Sequence, residues 1–190
     1  MRVSQEEKDQ SHERIVAAAA RLMRERGTEG ASVADVMRDA GLTHGGFYRH
    51  FGTKEEMLAV ALQSAFDQTM AELDRRLGEQ APAAAVAGFH AFYLSQGHLE
   101  QPGVGCPVAA VGADIGRGPA ALKSAFGQGV RRMVAALARG MKGSAETKRA
   151  IATRELALLV GALVIARASD PDTAREVLSA CQGPSKPAIT

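Results

Sequence analysis

Cysteine is nearly absent, with two in 190 residues. That excludes a disulfide-stapled secreted scaffold and a multi-cysteine zinc module, and two thiols suit a reducing compartment. Long apolar runs are missing too. The longest, Leu156 to Ala166, is bracketed by Arg154-Glu155 and Arg167. It falls well short of the ~20 residues a membrane helix needs, so it reads as a buried helix. The N-terminus, Met1 to Lys8, lacks the apolar core of a signal peptide. No membrane partner and a cytoplasmic location are therefore expected. Neither sign of charge dominates: 23 Lys and Arg against 21 Asp and Glu leave a formal net charge of +2. Taken alone, this speaks against a nucleic-acid binder, because the whole chain offers no large positive field. Aromatics make up only 4%, with no Trp. β-Branched residues are sparse and alanine abundant, which leans toward helix.

What is present is 46% apolar and 23% charged residues, a globular balance sufficient for one or two small domains. From Ser4 to Arg26, Ile15, Ala19, Leu22 and Met23 form a stripe at helical spacing. Ser4 and Glu7 are spaced for a capping box, and Gly27 suits a helix stop. Ser32 is a good N-cap for a two-turn helix with Val33, Val36, Met37 and Ala40 on one face, ended by Gly41. Thr43 caps a short helix in which Phe47 and Phe51 share a face. Thr53 and Glu56 form a second capping box, opening a long helix to about Leu77. Gly78 to Pro82 is a break, and Pro82 then opens a helix carrying Val86, Phe89, Phe92, Tyr93 and Leu94. Gln101 to Gly105 is loop chemistry. Cys106-Pro107 opens a helix to about Ile115, and Pro119 one to about Met141. The last two run from about Ala145 to Ser169 and from Pro171, capped by Asp170, to Cys181. Strand signals and repeats are lacking. The expected class is all-α with about nine helices.

Gly41 permits a sharp reversal between two steeply crossing helices, which Val36, Leu42 and Phe47 would lock. The second helix is then presented outward, as in a helix-turn-helix. Residues 10–60 resemble the DNA-binding domain of the TetR family of one-component transcriptional regulators. The resemblance rests on Ile15-Val16, Ala19, Leu22-Met23 and Gly27; on Ser32-Val33, Val36 and Gly41-Leu42; and on Phe47-Tyr48, His50-Phe51, Thr53-Lys54-Glu55-Glu56 and Leu58. It covers about a quarter of the chain. Gly105-Cys106-Pro107-Val108-Ala109-Ala110, with Gly112-Ala113-Asp114-Ile115, resembles one recurrent branch of the family's regulatory domains. The expected organisation is a helix-turn-helix domain over 1–54, a ligand-binding and dimerisation domain over 55–183, and a disordered tail over 184–190.

The DNA-side candidates are Ser32, Thr43, His44, Gly45, Tyr48, Arg49, His50 and Lys54. Tyr48, His50 and Lys54 match backbone-contacting positions of the family. Thr43 offers a hydroxyl, and Ser32 another from the preceding helix. His44 and Arg49 are long enough to meet base edges. Gly45 and Gly46 let the backbone approach closely but weaken the isolated helix by about 1 kcal/mol each. Between Leu42 and Lys54 there is no acidic residue. The plainer readings are packing with a wet hydroxyl for Tyr48, surface or capping for His50, and simple solvation for Arg49.

The resemblance implies a homodimer, a palindromic double-stranded operator and a small-molecule effector. Leu156, Leu159, Val160, Leu163 and Val164 make a helix apolar on more than one face, which asks for cover from a partner as well as its own domain. With Val177 they are the expected dimer interface. Pocket candidates are Phe66, Met70, Phe89, Phe92, Tyr93, Cys106, Phe126, Val130 and Met133, with His90 and His98 as polar contacts. Cys106 at a helix N-cap suits a reactive thiol that senses oxidants or electrophiles, or a small packing residue. An enzyme pairing Cys106 with His98 or His90, and a helical interaction protein without DNA binding, are the rival classes. His90, His98 and Cys106 lack a metal-ligand spacing. Neither a metal, a cofactor nor a catalytic residue is expected.

Overall fold

The computed structural model describes residues 4–78 and 82–182, with side chains over 4–75 and 86–182. The centre of the Gly78–Pro82 break and the 184–190 tail lie outside the described residues. Among the described residues there are nine α-helices, two short 3₁₀ helices and no strand. The α-helices are α1 (Gln5–Gly30), α2 (Val33–Asp39), α3 (Lys54–Gly78), α4 (Pro82–Tyr93), α5 (Gln96–Glu100), α6 (Pro107–Arg117), α7 (Ala120–Arg139), α8 (Ala145–Arg167) and α9 (Pro171–Ala180). The 3₁₀ helices are His44–Arg49 and Pro102–Val104. None of the described helices is long and apolar enough to cross a membrane.

Two compact units emerge. The first holds the chain up to Asp67 together with Gly103–Gln128, and the second holds Gln68–Pro102 and everything from Gly129. In the first unit, α1 opens on a reciprocal capping box. Ser4 Oγ accepts the Glu7 N–H at 3.1 Å and a Glu7 carboxylate oxygen accepts the Ser4 N–H at 2.7 Å. Ile15, Leu22 and Met23 are buried as the periodicity predicts. Gly27 does not end the helix. It kinks it at φ 76°, and one further turn runs on to Gly30. Gly41, at φ 68°, makes the expected reversal after α2.

The segment after Thr43 is a 3₁₀ helix rather than an α-helix. Two adjacent glycines are poor α formers, and the tighter winding needs only one turn to seat its anchors. Phe47 and Phe51 are 1% and 3% exposed, with ring centroids 5.9 Å apart. Burying each ring stabilises this crossing by roughly 1.5–3 kcal/mol. The capping box opening α3 is shifted by one residue. Thr53 Oγ1 accepts from the Glu56 N–H, but Glu56 Oε2 reaches back to the N–H of Gly52.

α6 packs on α1 within this unit. The buried Arg24 donates to the carbonyls of Ala20 and, across 81 residues, Gly105. Burial draws its pKa down to about 10, so it stays charged at neutral pH.

In the second unit α8 is the hub, touching α4, α5 and α9. A break that the apolar pattern misses falls at Ser95. Its Oγ caps α5 by accepting the His98 N–H at 3.3 Å. Arg167, at the end of α8, donates to the carbonyls of His98 and Leu99 and holds α5 in place. Asp170 caps α9 through the N–H groups of Asp172 and Thr173. A His90 Nε2–Glu155 Oε2 pair sits in this core at 3.2 Å, with both side chains buried.

Candidate nucleic-acid interface

The chain from Thr43 to Lys54 turns one edge inward and one outward. Phe47 and Phe51 are the inward anchors, while Thr43, His44, Gly45, Tyr48 and Arg49 are exposed. Tyr48 is 73% exposed although its ring meets Phe47 edge-on at 5.2 Å. A half-buried tyrosine would need a partner for its hydroxyl. This one packs one edge of its ring on Phe47 and leaves most of the side chain in solvent, an arrangement that suits both a packing residue with a wet hydroxyl and a phosphate contact. Thr43 begins the 3₁₀ helix without a side-chain capping bond, which leaves its hydroxyl available outside the helix. A Cβ on Gly45 would meet nothing within 4 Å. That position is therefore open to a close-approaching ligand surface.

His50 differs from its neighbours. It is half-buried, and its ring lies 5.8 Å from that of His12, which in turn stacks on Phe51 at 4.8 Å. Burial, and then the neighbouring His12, Lys8 and Arg49, push its pKa below the usual 6.5. Its imidazole is thus neutral at pH 7. Lys54 stands at the first turn of α3, 3.6 Å from Glu29, with 27% of its side chain exposed. Ser32 is spent locally: its hydroxyl accepts from the Asp35 N–H at 3.1 Å and donates to the Asp35 carboxylate at 2.6 Å. The structure gives Ser32 the role of a helix cap.

Such an edge is what a reading helix requires. It has a rigid apolar anchor, a row of exposed polar side chains, backbone laid bare at glycine, and no carboxylate from Leu42 to Lys54. A family model described as bacterial regulatory proteins, tetR family, matches residues 15–61. The helix-turn-helix is a TetR-family domain. Curated relatives are HTH-type transcriptional regulators as well. The uncharacterised HTH-type transcriptional regulator YfiR of Bacillus subtilis is 27% identical over 88 residues, 46% of this chain and 43% of the relative. The HTH-type transcriptional repressor Rv3405c of Mycobacterium tuberculosis is 36% identical over 69 residues, 36% of this chain and 35% of the relative. The chain thus spans about half or less of the curated relatives it matches. In fold the likeness is longer. The reduced form of Escherichia coli NemR superposes with a TM-score of 0.76 at 21% identity, covering 94% of this chain and 99% of that one. A Rhodococcus transcriptional regulator superposes with a TM-score of 0.71 at 25% identity, covering 90% and 91%.

Outside the TetR-family head, the other candidates sort by burial. Leu156, Leu159 and Leu163, expected to meet a partner, are 4%, 0% and 0% exposed. They are consumed by the chain's own core, because α8 turns that face toward α4, α5 and α9. Val164 and Ile165 are 44% and 51% exposed, with Val160, Gly161 and Val177 half-buried. The outward stripe is therefore narrower than the pattern predicts and includes Ile165, which the pattern missed.

The pocket candidates divide between the units. Phe66, Cys106 and Phe126 belong to the first, with Phe66 and Phe126 edge-on at 5.9 Å. Met70, Phe89, Phe92, Tyr93, Val130 and Met133 belong to the second. There Phe89 packs on Tyr93, while Phe92 stacks on His98 at 5.9 Å. Cys106 is the N-cap of α6, 2% exposed, without a capping bond from its sulfur.

Proposed function

We propose that the chain is a transcriptional repressor that binds a palindromic operator as a homodimer and releases it when a small-molecule effector binds. The observation that carries the reading is the exposed edge of Thr43, His44, Tyr48 and Arg49, held rigid by Phe47 and Phe51. Dimerisation is supported by Val164 and Ile165, which leave part of α8 apolar and uncovered, as a helix shared between two subunits would be. Two-fold symmetry would set the half-sites about 34–36 Å apart, or a multiple of that.

The effector would act by binding one state of the dimer better than the other, since only differential affinity shifts an equilibrium. The bonds that tie α6 and the segment just before it to α1, Arg24 to Gly105 and Thr28 to Asp114, supply a path by which a displaced α6 would carry the head with it. The aromatic cluster of Phe89, Phe92 and Tyr93 supports an apolar effector. Selection of random duplex DNA with the purified protein is the test. Enrichment of a palindrome is the expected result, and recovery of no palindromic sequence would sink the reading.

A second reading is favoured by one contact. The buried Arg24 guanidinium donates to the carbonyl of Gly105, the residue next to Cys106 at the N-cap of α6. A cation and a helix N-terminus both favour a thiolate, so an oxidant or electrophile would be the signal. Mass spectrometry after mild oxidant treatment separates the two readings. A Cys106→Ser protein that still releases DNA under oxidant excludes the second.

A further inference from the structure

Gln5, Lys8 and Ser11 recur on α1 at three-residue intervals and, with the N-cap Ser4, line a groove of about 530 Å³. Thr43, Arg49 and His50 of the recognition segment line it as well. No carboxylate is among the described lining residues. The acids at the start of α1 are engaged elsewhere. Glu7 closes the capping box with Ser4, and Asp9 accepts from Gln5 Nε2 at 2.8 Å.

The two full charges on the groove are uncompensated. Among the described residues Lys8 and Arg49 have no ion-pair partner, whereas Arg21, Arg38 and Lys54 of the same unit each have one. From both walls the full charge near His50 is positive: Lys8 on α1, and Arg49 beside it, with the His12 ring between α1 and His50. Like charges gathered on one groove repel, and an oxyanion seated between them removes that repulsion. The groove also abuts three residues of the DNA-facing edge, so the anion at hand is a backbone phosphate.

We propose that this groove is a further phosphate seat for operator DNA, in which Lys8 of α1 supplies a contact from outside the helix-turn-helix. It rests on the operator-binding reading above. Lys8 lies before the matched residues 15–61, and its position on the groove wall is what singles it out.

The test uses the full chain and a duplex recovered by selection, with affinity followed by fluorescence anisotropy between about 50 and 200 mM salt. Without one phosphate anchor, the slope of log K against log salt should fall by about 0.9 and binding should weaken about fivefold near 0.15 M. Lys8→Ala should do this once per subunit, on operator and unrelated duplex alike. Lys8→Arg should keep the wild-type slope, as should the surface control Lys142→Ala. Circular dichroism establishes that each variant is folded. An unchanged slope for Lys8→Ala overturns the proposal, and so does a loss of affinity that is equal at every salt concentration. If the wild-type chain itself binds no selected duplex, the operator reading fails first and the phosphate seat fails with it.

Discussion

Asp114 on α6 accepts the backbone N–H of Thr28 at 3.3 Å, and its carboxylate fills the space that a Cβ on Gly27 would need. Gly27 itself sits at φ 76°, ψ 176°, a region essentially confined to glycine, where an L side chain costs on the order of 1–3 kcal/mol. The kink in α1 and the seating of α6 are thus one arrangement. Gly27→Ala should destabilise the chain by about 2–4 kcal/mol in urea titrations, the backbone cost plus the displacement of the Asp114 carboxylate from its bond to Thr28. In an Asp114→Ala background the same change should cost only the backbone part. Equal costs in the two backgrounds would show that the carboxylate is not what fills the space.

Lys54, proposed above as a DNA contact, pairs with Glu29 at 3.6 Å. At 3.6 Å and with 99% of the Glu29 side chain accessible, the pair contributes little to stability. Glu29→Gln should leave the melting temperature unchanged while tightening DNA binding. Lys54→Ala should weaken all sequences about equally and lower the salt slope by about 0.9 per subunit. Anisotropy titrations on matched and unmatched duplexes check both.

On α8 the two sides should respond differently to one chemical change. Val164→Asp or Ile165→Asp places a charge on the outward stripe, and sedimentation should then report monomers with native helicity. Leu159→Asp places it where exposure is 0%. The chain should unfold, since an unpaired carboxylate in a core costs several kcal/mol. A folded dimer carrying Asp at 165 would remove α8 from the interface.

His98 is buried against Phe92 and Tyr93, with its Nδ1 donating to the Tyr93 carbonyl at 2.7 Å. Burial, partly offset by that bond, pulls its pKa from 6.5 to about 4. In the unfolded chain it takes up a proton below about pH 6.5; in the folded chain it does not until about pH 4. Its contribution to stability is therefore present above about pH 6.5 and drains away as the pH falls through that window. Between about pH 6.5 and 5 this loss should be about 2 kcal/mol. His98→Gln should lose that much less stability over the same range, measured by denaturant unfolding at each pH.

Much of this was legible from residue spacing. Ser4 and Glu7, Ser32, Thr53 and Glu56, and Asp170 mark helix starts by local hydrogen bonding, which needs only neighbours along the chain. Phe47, Phe51 and the Gly41 reversal likewise announce the helix-turn-helix. The net charge of +2 misleads only as a whole-chain sum: the acids lie elsewhere, and the DNA edge carries none. Three things needed the third dimension. Periodicity shows that α8 is apolar on several sides, but not which side its own core takes; Leu156, Leu159 and Leu163 went inward because α4, α5 and α9 lie there. Ser95 reads as one more residue of a helix until its hydroxyl is found capping the next. And Lys8, one of many charges on an N-terminal helix, meets Arg49 and His50 only because the chain folds back some forty residues later, since charge complementarity across such a distance is a property of packing and leaves no local pattern.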